Sequence, residues 1–115
     1  MNDRFRFRVW GISQKKFENK KTVEDARIGF LPKVSSNYIL EQCTGLKDKN
    51  GRLIYEGDIV YCEEFENIGI VKFDEEAAKF AIDVKGVYCD FTEFYSSDYT
   101  IKGNIHENPE LLENK

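Results

Sequence analysis

Strict alternation opens the chain. In Arg4 to Trp10, RFRFRVW, Arg4, Arg6 and Arg8 fall on one face and Phe5, Phe7 and Val9 on the other, which predicts a half-buried strand with the apolar side as core. Gly11 to Asn19 is polar and reads as a turn, and Lys20 to Ile28 fits a second strand or a short helix. From Phe30 to Gln42 the signals are mixed: Pro32 blocks a regular interior, Ser35, Ser36 and Asn37 form a loop or N-cap cluster, and Tyr38 to Leu40 are apolar. Either a short helix or an edge strand fits there.

Thr44 to Val60, TGLKDKNGRLIYEGDIV, sets turn signals on both sides of a short apolar run. Gly45 marks one turn, Asn50-Gly51 is a hairpin signal, and Glu56-Gly57-Asp58 breaks the run Leu53 to Tyr55 before a strand over Ile59 to Cys62. Strands are predicted over Ile68 to Phe73, Phe80 to Val84, Val87 to Phe91 and Tyr99 to Ile105. Asp74 to Lys79 reads as a polar link of one helical turn, Lys85-Gly86 as a tight turn, and Thr92 to Asp98 as a longer link. The tail from His106 to Leu112 predicts a turn, or a single 3₁₀ turn, that lays Leu111 and Leu112 on a surface. Short strands with short connections point to a small, strongly bent barrel.

Composition narrows the class. A chain of 115 residues has room for one domain, and a domain of this size buries roughly two-thirds of its unfolded surface. Nine Phe, six Tyr and one Trp suit packed strands and argue against disorder. A net charge of -4 disfavours electrostatic binding of nucleic acid. No apolar run is long enough to cross a membrane, and the charged N-terminus lacks a signal-peptide core, so the expected location is cytoplasmic. Cys43, Cys62 and Cys89 show no metal or redox spacing and read as reduced, mostly buried thiols.

Cys43 to Val60 (CTGLKDKNGRLIYEGDIV) together with Ile101 to Leu112 (IKGNIHENPELL) resembles the YopX family of small bacteriophage and prophage proteins, and Arg6 to Trp10 matches that family's N-terminal arrangement. The positions carrying the match include Gly45, Asn50, Gly51, Gly57, Asp58, Asn108 and Pro109. Three departures stand out: Gly11 where Asp is usual, Cys43 where an aromatic residue is common, and His106 in place of a frequent Tyr. The resemblance implies a mainly β (α+β) protein, a small SH3-like β-barrel with an N-terminal β/α extension, encoded by a phage or prophage, cytosolic in the bacterial host and oligomeric. The single domain spans 1–115, with residues 1–45 as an N-terminal layer and 46–112 as the barrel and C-terminal turn. It brings no catalytic residues.

Candidate chemistry is sparse. His106 is the sole histidine and H-E-N-P is not a zinc motif, so it reads as a solvated or turn-packing residue. Asp48 to Gly51 has the wrong spacing for a calcium loop. Glu56, Asp58, Glu63, Glu64 and Glu66 form an acidic neighbourhood that reads as solvated strand ends. No phosphate-binding or nucleophile-elbow motif is present. The reading is therefore of a protein that is not an enzyme and has no cofactor and no metal.

The leading functional expectation is an interaction module that assembles as a homo-oligomer or with a host or phage protein, through edge strands open to pairing. The alternative is nucleic-acid binding through Arg4, Arg6 and Arg8, whose alternation sets three guanidinium groups on one face for phosphates or a partner's acids. An enzymatic reading would need Glu56, Asp58 and His106 gathered in one cleft.

Overall fold

Nine strands and one 3₁₀ turn make up the described part of the computed structural model, which covers residues 6–18, 38–63, 66–90 and 99–113. The expectations for Arg4, Phe5, Lys20 to Ile28, Phe30 to Asn37, Glu64 and Thr92 to Asp98 lie outside the described residues. The strands are β1 (Phe7–Gly11), β2 (Lys16–Phe17), β3 (Tyr38–Lys47), β4 (Leu53–Tyr55), β5 (Asp58–Cys62), β6 (Asn67–Asp74), β7 (Lys79–Val84), β8 (Val87–Asp90) and β9 (Tyr99–Asn104). They form two antiparallel sheets, ordered β2-β1-β3-β4 and β8-β7-β6-β5-β9. The protein is mainly β.

Register follows the alternation in sequence. Pairing Val60 with Ile101 and Gly69, and Cys62 with Tyr99, puts these side chains on one face; Val71 opposite Ile82 continues it. That face meets Ile54 of the other sheet to form the core. Gly69 lies where a Cβ would strike Ile82, so the absence of a side chain lets β6 and β7 pack closely. Val9 is fully buried and Phe7 half-buried, as the opening alternation predicts. Cys43 and Cys62 are buried thiols and Cys89 is half-buried, none of them in a disulfide.

Gly45 corrects the sequence reading. It does not end an element but sits inside β3, at a register shift between Cys43 and Lys47, with φ 86°. Thr44 holds this bulge: its hydroxyl donates to the Ile54 carbonyl and accepts from Leu46 N–H. The strand thereby bends, pairing with β1 along its first half and with β4 along its second. The expected boundary between residues 45 and 46 thus falls within one continuous strand.

Of the other turns, some differ in detail and some stand as expected. The β3–β4 loop spans five residues, with Lys47 paired to Leu53, rather than a two-residue Asn50-Gly51 turn. Lys85-Gly86 is a two-residue hairpin turn, both at positive φ, closed by Gly86 N–H donating to Asp83. Asp74 to Lys79 closes a hairpin loop, with the Asp74 carboxylate accepting from Glu76 and Ala77 N–H, and no helical turn forms. The 3₁₀ turn Pro109–Leu112 is present, with Leu111 and Leu112 half-buried.

Asp48 organises the β3–β4 loop and ties it to the second sheet. Its Oδ1 accepts from Asn50 and Arg52 N–H, and its Oδ2 from Ile101 N–H at 3.0 Å. Burial pushes this carboxyl up, but the backbone donors of Ile101, Arg52 and Asn50 and the Arg52 charge outweigh it, leaving the pKa below the ordinary value. A lowered folded-state pKa means stability that is complete above the unfolded value of about 4 and is lost as pH falls through the folded value. Asp48→Asn has a single oxygen, so either Ile101 N–H or the Asn50 and Arg52 pair must face an NH₂ group. The expected loss at neutral pH is about 2 kcal/mol, with a shallower acid limb, in urea denaturation followed from neutral pH into acid.

Candidate functional site

Arg8 and Trp10 share a face of β1 because they are two residues apart. The register carries Glu41 of β3 opposite Arg8 and Phe17 of β2 opposite Trp10, so all four project to the same side. From the second sheet, Asp58 starts β5 and His106 follows β9. These groups meet in a buried ionic cluster between the sheets.

Glu41 is its centre. Its Oε1 accepts from Arg8 Nε at 2.8 Å and its Oε2 pairs with His106 Nε2 at 2.8 Å, with the side chains of Glu41 and His106 only 5% and 8% exposed. Arg8 Nη2 reaches Asp58 Oδ1 at 2.9 Å and donates to the Glu56 carbonyl at 3.1 Å. Asp58 Oδ2 accepts from Tyr55 N–H. Burial pushes the Asp58 carboxyl above its ordinary pKa; the Arg8 charge and the Tyr55 N–H pull it back only in part, and Glu41 adds repulsion.

Aromatic rings enclose the cluster. The Arg8 guanidinium lies 4.6 Å from the Phe17 ring centre and 4.9 Å from that of Tyr55, within cation–π range of both. Trp10 stacks on His106, with centroids 4.8 Å apart and planes at 10°, and Phe17 packs edge-on against Trp10. His106 is presented by the turn after β9. Asn104 builds that turn: its Oδ1 accepts from His106 and Glu107 N–H, and its Nδ2 donates to Glu107.

Gly57 closes the cluster from below. Its N–H donates to the Val71 carbonyl and its carbonyl accepts from Ile105 N–H. A Cβ on Gly57 would collide with the Glu41 carboxylate. The segment Glu56 to Asp58, which follows β4, therefore ties β5, β6 and the C-terminal turn to the first sheet.

A family comparison covers this whole arrangement. The family model described as YopX protein matches residues 6–113. The chain belongs to the YopX family. The fold of this YopX chain is similar to the crystal structure of protein EF1440 from Enterococcus faecalis, with TM-score 0.64, 22% identity, 92% of this chain and 96% of that chain covered. No curated protein matches the YopX chain.

The candidate residues of the YopX chain are partly gathered and partly dispersed. Arg8 and Asp58 meet directly, and His106 joins them through Glu41. Of the two expectations for His106, solvated or turn-packing, the structure has the second: the Asn104-built turn encloses the ring against Trp10. Glu56 contributes through its backbone; its carboxylate accepts from Gln42 N–H. Arg6 is exposed, while Arg8, expected beside it on an open stripe, is drawn inward with its side chain 18% exposed. Glu63 pairs with Lys49 at the surface. Gly51 and Gly57 take positive φ, and Asn108 accepts from Asn104 N–H ahead of Pro109.

Glu41, Trp10, Phe17 and Tyr55 were not singled out from sequence. For Trp10 a signal existed: it has the same strand parity as Arg8, so one face carries both a cation and a large ring. Glu41 gave none, being 33 residues from Arg8 with nothing local to mark it.

Proposed function

We propose that this YopX chain is a non-enzymatic interaction module, encoded by a phage or prophage, acting in the bacterial cytoplasm and assembling with a second copy of itself. Its architecture in this reading is an SH3-like barrel carrying an N-terminal layer. The observation that carries the proposal is strand β8, the outer edge of the five-stranded sheet among the described strands. There Val87 is 64% and Tyr88 49% exposed, and Phe73 lies exposed beside Tyr88 along one shallow depression. An open edge with apolar side chains favours strand pairing, and antiparallel pairing of the same edge about a twofold axis is self-complementary.

The buried cluster supports a structural role over chemistry. Asp58 and His106 are linked, among the described residues, only through Arg8 and Glu41, and Glu56 Oε1 is engaged with Gln42 N–H. Among the described residues, no helix is long and apolar enough to cross a membrane.

Light scattering at high micromolar concentration tests the reading. A dimer is expected for the native chain, and a monomer for Val87→Lys, which places a charge on the edge and changes folding stability by less than about 0.5 kcal/mol. A native monomer at that concentration counts against self-assembly. A dimer that Val87→Lys leaves intact moves the interface away from β8.

A further inference from the structure

Beside the ionic cluster, an open groove of about 420 Å³ runs between the sheets, lined on one side by β4 and on the other by β9 and the turn that follows it. Its volume lies in the range of small-molecule sites. Phe17 and Tyr55 form an aromatic wall, Arg8 lies in its floor, and Arg52 and Lys102 line it as exposed cations.

The side-chain hydrogen-bond capacity left in this groove is mostly donor. Arg8 engages Nε and Nη2 with Glu41, Asp58 and the Glu56 carbonyl, and its Nη1 has no hydrogen-bond partner among the described residues. Asn108 uses its Oδ1 to accept from Asn104 N–H, which fixes the amide orientation and leaves Nδ2 without a partner among the described residues. The acceptors, by contrast, are largely engaged. Both Asp58 oxygens accept bonds, and Glu107 Oε1 accepts from Asn104 Nδ2, leaving Glu107 Oε2. Arg52 and Lys102 form no ion pair within 4.0 Å among the described residues; Lys102 lies 5.9 Å from the Tyr61 ring and Arg52 acts on Asp48 through space.

From this asymmetry we infer that the groove binds a small molecule bearing an acceptor-rich anionic group, phosphate or polycarboxylate. Arg8 Nη1 and the Asn108 amide hold the group at the floor, and Arg52 and Lys102 neutralise it from the sides. Arg8 is suited to this because its other donors are already fixed by Glu41, Asp58 and Glu56, so its planar fork is oriented before a ligand arrives. The site is independent of pairing at β8.

Titration of the ¹⁵N-labelled full chain with inorganic pyrophosphate, and separately with citrate, tests the inference by NMR. Saturable shifts are expected at Lys102, Gly103, Asn108 and the Arg8 Nε–H for at least one of the two, and the tighter binder identifies the acid class. The double variant Arg52→Ala/Lys102→Ala is expected to weaken binding by about tenfold or more, from the loss of two charge-assisted contacts. Both residues are exposed, so its unfolding midpoint should stay close to the native chain's, less the small support that the Arg52 charge gives Asp48; Arg8 is left unaltered because its loss would disturb the buried cluster. Saturation by neither anion, or binding that the double variant retains in full, overturns the assignment.

Discussion

Glu41→Ala is expected to lower folding stability by about 3 kcal/mol, near the lower end of what breaking a buried pair costs. The Glu41 side chain holds Arg8 from the first strand with one oxygen and His106 from the C-terminal turn with the other. Removing it leaves His106 Nε2 without its hydrogen-bond partner and the half-buried Arg8 guanidinium partly uncompensated. Arg8 keeps Asp58 and the Glu56 carbonyl, which is why the loss stays near 3 and not 5 kcal/mol. Glu41→Gln preserves shape but has one oxygen; with that oxygen on Arg8 Nε–H, its NH₂ faces His106 Nε2, which keeps a bond only in the tautomer where Nε2 accepts, and with the loss of the carboxylate charge beside Arg8 a loss of about 1–2 kcal/mol is expected. Urea denaturation gives the stabilities. The fluorescence of Trp10, the single tryptophan, reports the site itself, because its ring stacks on His106. A Glu41→Ala loss under about 1 kcal/mol, with unchanged Trp10 emission, would show that the cluster does not hold the sheets together.

The contrast between Arg8 and Val9 shows what the sequence makes legible. Val9 is core because apolar alternation reports burial directly, and the same logic placed β5, β6, β7 and β9 close to their observed bounds. Alternation reports only which residues share a face, however, and not whether a polar face meets solvent. Arg8 lies on the polar side of its strand, yet that side turns toward the second sheet, where Asp58 and Glu41 receive it. Trp10 on the same side was the local sign of burial. Gly45 illustrates a second limit: a positive φ is written into the residue type, but a bulge within a strand and a turn between strands both require it. His106 illustrates a third. Its environment depends on Glu41, 65 residues away, and on Trp10, a pairing that only the packing of two sheets creates.

Gly57→Ala is expected to cost about 3 kcal/mol or more, and Gly86 provides its internal reference. Both glycines have φ +89°, so alanine meets the same backbone penalty at each, about 1–2 kcal/mol. Around Gly86 a Cβ meets nothing within 4 Å, and Gly86→Ala should show that penalty alone. At Gly57 the added methyl occupies the place of the Glu41 carboxylate, and the Gly57 backbone cannot retreat without breaking its bonds to Val71 and Ile105. The carboxylate must therefore leave Arg8 and His106, and the excess loss at Gly57 over Gly86 measures that displacement. It follows that the two effects are not additive: in a Glu41→Ala background, Gly57→Ala should fall toward the Gly86→Ala value. Equal losses at the two glycines in the native chain, or additive losses for Gly57→Ala and Glu41→Ala, would sever the proposed coupling between the Glu56–Asp58 turn and the buried ionic cluster.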